Sequence, residues 1–256
     1  MRRSFPMGLC LAIVVLVAGS RPAFAQPYHK RVPPSAAVAA SSGYQSLVAT
    51  YDRAIFDSSV YKNANLRPLR PLTPDANGEV LVSTLTSLDG QVGTLLPVTG
   101  SGVWVTGVPE VQVLCQTFTG DVVMQLRQLI GLPPDADIPR VLVLQVKATD
   151  LFRPAVDPEI GTTLPCAVMT GGPVPQNCGN VYPPDTTADH YEWMAQQSFA
   201  LHELPGGYPW THLGYTYNWK PGEDRYGASE YLIRAGANAL IVQNADPVAY
   251  CQPASP

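Results

Sequence analysis

Proline sets the first limit on this chain: 26 of its 256 residues are proline, about twice the usual share. A ring-locked residue without an N–H is excluded from helix interiors and central strands. Every regular element must therefore fit between prolines, and the stretches around them become connecting loops. The run Leu66-Arg67-Pro68-Leu69-Arg70-Pro71 is expected to be extended, because residues before proline avoid the α region.

Between those breaks the periodicity changes sign several times. Residues 79–85, 92–98 and 103–106 are rich in β-branched side chains and bounded by Gly, Asp or Pro, which predicts three strands. Residues 140–146 read as a buried strand, and three more are expected near 213–219, 230–234 and 239–242. A short helix fits residues 46–58. A better-defined one follows Asp121 as cap, with Val122, Val123, Leu126, Leu129 and Ile130 on one stripe and Gly131 and Pro133 as stops. Another should begin after Thr186 and Thr187 and run to about His202, with Tyr191, Met194, Ala195, Ser198 and Phe199 as its apolar stripe. The interleaving lacks a regular βαβ rhythm. It predicts an α+β fold, a largely antiparallel sheet with two main helices packed on it and proline-rich connecting loops.

The N-terminus carries Arg2 and Arg3, an apolar stretch over 8–19, and Ala23-Phe24-Ala25. That order is the n-region, h-region and cleavage site of a secretory signal peptide cut after Ala25. The apolar stretch is shorter than the roughly 20 residues a membrane-spanning helix needs, so no membrane insertion is expected after cleavage. The expectation is a secreted or periplasmic protein with a flexible leader over 26–43 and a single α+β domain over 44–256. Loss of Arg2, Arg3 and Arg21 takes 16 basic residues to 13 against 20 acidic ones, a net charge of −7. A clustered basic surface, the footprint of nucleic-acid binding, is absent from the sequence.

Four cysteines remain after such processing, and an even number in an exported chain points to disulfides. Cys166 and Cys178 flank a Gly/Pro-rich segment that a local bridge would hold, leaving Cys115 for Cys251. No Cys/His cluster has the spacing of a metal site, and no motif calls for a cofactor.

The densest concentration of recognition chemistry is residues 208–219, where Tyr208, Trp210, Tyr215, Tyr217 and Trp219 occur within twelve positions. In a strand, Leu213, Tyr215, Tyr217 and Trp219 share one face, which reads either as a stacking platform or as ordinary core. Tyr208 and Trp210 precede it on a Gly/Pro loop, a common location for binding residues. His190 and Trp193 lie on one side of the adjoining helix with Gln197. Together Tyr208, Trp210, Trp193 and His190 make a candidate ligand cleft, suited to a saccharide, another cell-envelope component or a partner protein.

Catalytic candidates are fewer. His190 or Glu230 can act as a base, and Arg153 can clamp an anion or pin its own loop through Asp150 or Asp157. Nucleophile-elbow, HExxH and Walker-type motifs are missing. Ser83 and Thr84 on a strand, with Glu230 on a late strand, loosely resemble the serine/threonine-then-glutamate arrangement of ADP-ribosyltransferase-like and NAD-cleaving toxins. That resemblance implies a glycosyl or ADP-ribosyl transferase, or a hydrolase, as the alternative to a binding domain. A structural secreted protein without a small-molecule site is the third reading, and it predicts burial of Tyr208 and Trp210.

Overall fold

The computed structural model describes residues 30–60, 65–163 and 188–253. The export segment and the Cys166–Cys178 pair lie outside the described residues.

Eight strands form one antiparallel sheet, as the α+β expectation required. In chain order they are β1 (Glu79–Thr86), β2 (Leu95–Pro97), β3 (Val103–Gly107), β4 (Arg140–Lys147), β5 (Leu151–Phe152), β6 (Tyr215–Tyr217), β7 (Tyr226–Ile233) and β8 (Asn238–Ala245). Their order across the sheet is β2-β8-β4-β1-β3-β7-β5, with β6 added onto β7. The long ladder pairs β1 with β4, from Glu79 opposite Lys147 to Thr86 opposite Arg140. Both strands are runs of Val, Leu and Thr, whose branched side chains suit a pleated, buried surface. The one proline within these strands, Pro97, lies on the edge strand β2, where a missing donor disrupts no central ladder.

Alternation along the strands divides the core. One face carries Val80, Val82, Val103, Val105, Leu142, Leu144, Tyr231 and Ile233 in a closed apolar cluster. The other carries Leu85, Val141, Val143 and Ala228, which pack with helices and loops laid over them. Among the described residues the α-helices are α1 (Ala36–Ala39), α2 (Ser42–Ser59), α3 (Glu110–Cys115), α4 (Val122–Leu129), α5 (Ala188–Ser198) and α6 (Pro247–Tyr250), and α3 to α6 contribute to that cluster. In α4 the Asp121 carboxylate accepts the Met124 N–H at 2.9 Å, the expected cap. Its Leu126 and Leu129 are buried, each worth roughly 1.5–3 kcal/mol relative to exposure.

Several expectations give way. Part of the supposed leader has regular structure: Ser35 caps α1, α2 begins at Ser42, and Arg31 pairs with Asp135 at 2.8 Å. The polar Ser/Ala composition suggested looseness, but Ser and Asp here satisfy backbone donors and a cation. The stripe of α5 is also rotated from the expected one. Phe199 is exposed while Gln197, Ala200 and Leu201 are buried, an i, i+3, i+4 spacing on another side of the helix, and a π-helical turn over Phe199–Glu203 follows α5. Helix α3 went unforeseen, six residues being too few for a period to declare itself.

Cys115 at the end of α3 and Cys251 just after α6 form a disulfide, with Cα atoms 5.2 Å apart. It closes a loop of 136 residues, which by chain entropy stabilises the fold by about 5 kcal/mol. Among the described residues no helix is long and apolar enough to cross a membrane.

Candidate functional site

The register of three strands builds the floor of a cavity. Ser83 on β1 stands opposite Thr106 on β3, and Thr106 stands opposite Glu230 on β7. Opposed residues point to the same face, so a serine, a threonine and a glutamate form a row across the sheet. Ser83 Oγ and Thr106 Oγ1 are 3.0 Å apart and hydrogen-bonded to each other. The Tyr250 hydroxyl, from α6, lies beside Ser83 without a well-formed hydrogen bond.

Over this row arch the loop after α4, with Ile130, Gly131 and Leu132, and the aromatic loop with Tyr208, Pro209 and Trp210. Trp104, Leu201, Thr216 and Tyr217 complete the walls. The cavity volume is about 60 Å³. Mostly apolar walls with a few polar groups are the usual make-up of a small-molecule site.

A close backbone approach positions the aromatic loop. A Cβ on Gly207 would lie 1.9 Å from the Leu201 carbonyl oxygen, the atom that accepts the Tyr208 N–H at 3.0 Å. Only glycine lets the loop dock on the π-helical turn in this way. Five residues on, His212 adopts φ 62°, a left-handed conformation that is uncommon for a residue with a side chain. Its ring lies 4.1 Å from Trp210 and 4.9 Å from His202, both edge-on. Burial, reinforced by His202, pushes the His212 imidazole down to about 3. His202 is also lowered, by burial first. Its Nε2–H donates to the Trp210 carbonyl at 3.1 Å, which selects one neutral tautomer.

Glu230 is the electrostatic anomaly. Its Oε2 is sealed from solvent and has no hydrogen-bond partner. Burial pushes the carboxyl up to about 8, against the opposing pull of Arg153. At neutral pH it is therefore mostly a protonated acid, the kind of shifted group that clusters at functional sites.

The sequence candidates divide accordingly. Tyr208, Trp210, Ser83, Thr84 and Glu230 line the cavity. Tyr208 and Trp210 are 7% and 3% exposed, so the loop rings are packed walls rather than an open surface. Trp193 and His190 stand behind them: Trp193 meets Trp210 edge-on at 6.0 Å, and His190 stacks on Trp193 at 5.8 Å. His190 Nε2–H donates to the Ala155 carbonyl at 2.7 Å, and burial lowers its imidazole. The row from Leu213 to Trp219 is buried throughout. Leu213 and Tyr215 pack with Leu69, while Tyr217 and Trp219 pack with Tyr51 and Ala54.

Arg153 lies on the opposite face from Glu230 and is fully buried. It donates to the carbonyls of Gly214 at 3.1 Å, Arg70 at 3.2 Å and Thr162 at 3.1 Å, and to the Tyr231 hydroxyl at 3.0 Å. Its guanidinium sits 4.6 Å from the Tyr231 ring centre. It pins the loop through carbonyls, where the sequence had suggested Asp150 or Asp157. His190, Glu230 and Arg153 thus do not converge on one pocket.

Trp104 and Thr106 were missed as site residues. The signal was there in the alternation of Val103-Trp104-Val105-Thr106, which sends the indole and hydroxyl to one side of β3. No metal-ligating cluster occurs among the described residues. Searches against protein-family models, curated proteins and solved structures found no match to the chain.

Proposed function

We propose that this protein is an exported domain that binds a small molecule in the cavity between the Ser83–Thr106–Glu230 row and the aromatic loop. The observation that carries the reading is Glu230: a buried, unpartnered carboxyl oxygen in an otherwise apolar cavity with an open mouth. Unpaired buried polar atoms cost about 1–3 kcal/mol each, a cost that a ligand offering a complementary group removes. The Cys115–Cys251 bond and the signal-like residues 1–25 support action outside the cytoplasm, and N-terminal sequencing of secreted protein should begin at Gln26.

The test is a fragment screen followed by the Trp indole N–H signals in NMR. Bound fragments should move the Trp104 and Trp210 signals, and Thr106→Leu, which fills the cavity floor, should abolish the shifts while the melting temperature stays within a few degrees. Fragments that bind both proteins equally would sink the reading.

A second reading, hydrolysis or group transfer, is favoured by one observation: the hydroxyl of Ser83 and the raised carboxyl of Glu230 share one row. Glu230 would then serve as a general acid, without help from His190 or Arg153, whose donors are engaged elsewhere. Turnover of a bound fragment that disappears in Glu230→Gln would establish it.

A further inference from the structure

We infer that the ligand of this cavity is an organic cation, an ammonium or amidinium group carried on a small apolar frame, held by Glu230 and by aromatic walls. The inference rests on the cavity being a binding site and concerns which ligand chemistry it selects.

The polar capacity of the cavity is the first constraint. Ser83 and Thr106 spend their hydroxyls on each other. Thr216 Oγ1 donates to the Leu129 carbonyl at 2.8 Å and accepts the Ala228 N–H at 2.9 Å. The Tyr217 hydroxyl donates to Asp57 at 2.6 Å. Glu230 Oε2, by contrast, is buried with no hydrogen-bond partner. A saccharide carries many hydroxyls, each of which would lose its water here without a replacement, at a cost per group that disfavours it.

Charge is the second constraint. Among the described residues lining the cavity, Glu230 is the one that can be charged, and none is Lys, Arg or His. Arg153, the cation that acts on Glu230, lies behind the strand with its donors occupied. His202 and His212 beside Trp210 are held neutral by burial. An anion entering this space would meet no counter-charge. A cation would meet a carboxyl able to give up its proton and complete an ion pair.

The walls supply the third. Trp104, Tyr208 and Trp210 border the space. Indole and phenol rings attract cations through their quadrupoles, most strongly when water is excluded, and indoles do so best. One carboxyl among several aromatic rings is the chemistry of an ammonium cage rather than of an anion or polyol site.

The experiment uses the full oxidised protein and three probes of one frame: benzyltrimethylammonium, benzylamine and uncharged benzyl alcohol, each titrated by the Trp indole N–H signals. Both cations should bind at least ten times more tightly than benzyl alcohol. In Glu230→Gln that preference should fall to within about twofold, while benzyl alcohol binding is unchanged and the variant still unfolds cooperatively. Benzyl alcohol binding as tightly as the cations to the wild-type protein would overturn the cation inference and leave the cavity reading intact. Failure of all three probes to shift Trp104 or Trp210 would overturn both.

Discussion

Arg153, in the loop just after β5, and Glu230, on the neighbouring β7, are two buried ionisable side chains treated in opposite ways. Arg153, on the closed face, has carbonyls and a hydroxyl around its guanidinium and a tyrosine ring against it. Glu230, on the face covered by helices and loops, keeps a carboxyl oxygen with no partner at all. A charge that is fully satisfied organises the loops around it, whereas one left unsatisfied stores a cost that only a partner from outside can remove. Within a single sheet one buried ionisable group is fully satisfied and the other is not.

The largest expected effect comes from breaking the satisfied member. Arg153→Met should destabilise the fold by about 3–5 kcal/mol in urea unfolding, since several carbonyls lose their donor at once. A loss under about 1 kcal/mol would mean that the arginine is not the organiser of its face.

Glu230 should show the reverse sign and a dependence on pH. Its carboxyl titrates at about 8 in the folded protein against an ordinary 4.5. The folded state thus holds the proton more tightly than the unfolded chain. Its contribution is fully present below about pH 4.5 and is lost as pH rises through about 8. Glu230→Gln should therefore be more stable than wild type near pH 8.5, by about 2–4 kcal/mol, with the advantage shrinking toward pH 5. Parallel stability profiles for the two proteins would remove the contrast with Arg153.

The smallest effect sharpens the comparison within the cavity floor. Ser83→Ala with Thr106→Val removes a hydroxyl pair that satisfies itself, so the double variant should lose under about 1 kcal/mol. Its preference for benzylamine over benzyl alcohol should be kept. A collapse of that preference would assign the hydroxyls a share in recognition that their mutual bond denies them.

Local chemistry made much of the fold legible before any coordinates. β1, β3 and β4 end within one residue of where Gly, Asp and Pro bound their β-branched runs, and Asp121 caps α4 through the expected bond. Pairing was not legible. Nothing local says that residue 83 faces residue 106, 23 positions on, or that 106 faces 230, 124 positions further, because that register is set by long-range pairing. The cavity floor was for that reason visible only as scattered Ser83 and Glu230. The aromatic loop misled in the other direction. Its Gly/Pro composition suggested exposed rings, yet Gly207 allows the loop to dock so closely on Leu201 that Trp210 becomes a wall. His190 and Trp193 were expected to line a cleft with that loop, whereas they stand behind Trp210, outside the cavity lining.

The contacts of Trp210 with Trp104 at 6.2 Å and with Trp193 at 6.0 Å also give the molecule an optical signature. Indoles held edge to edge at such separations couple electronically. The middle one borders the cavity, so any occupant that tilts it alters the near-ultraviolet dichroism of all three together. Trp219, the fourth, packs instead against Tyr51 and belongs to a separate cluster. Binding of the proposed ligand would therefore have an unlabelled reporter, readable in dilute solution.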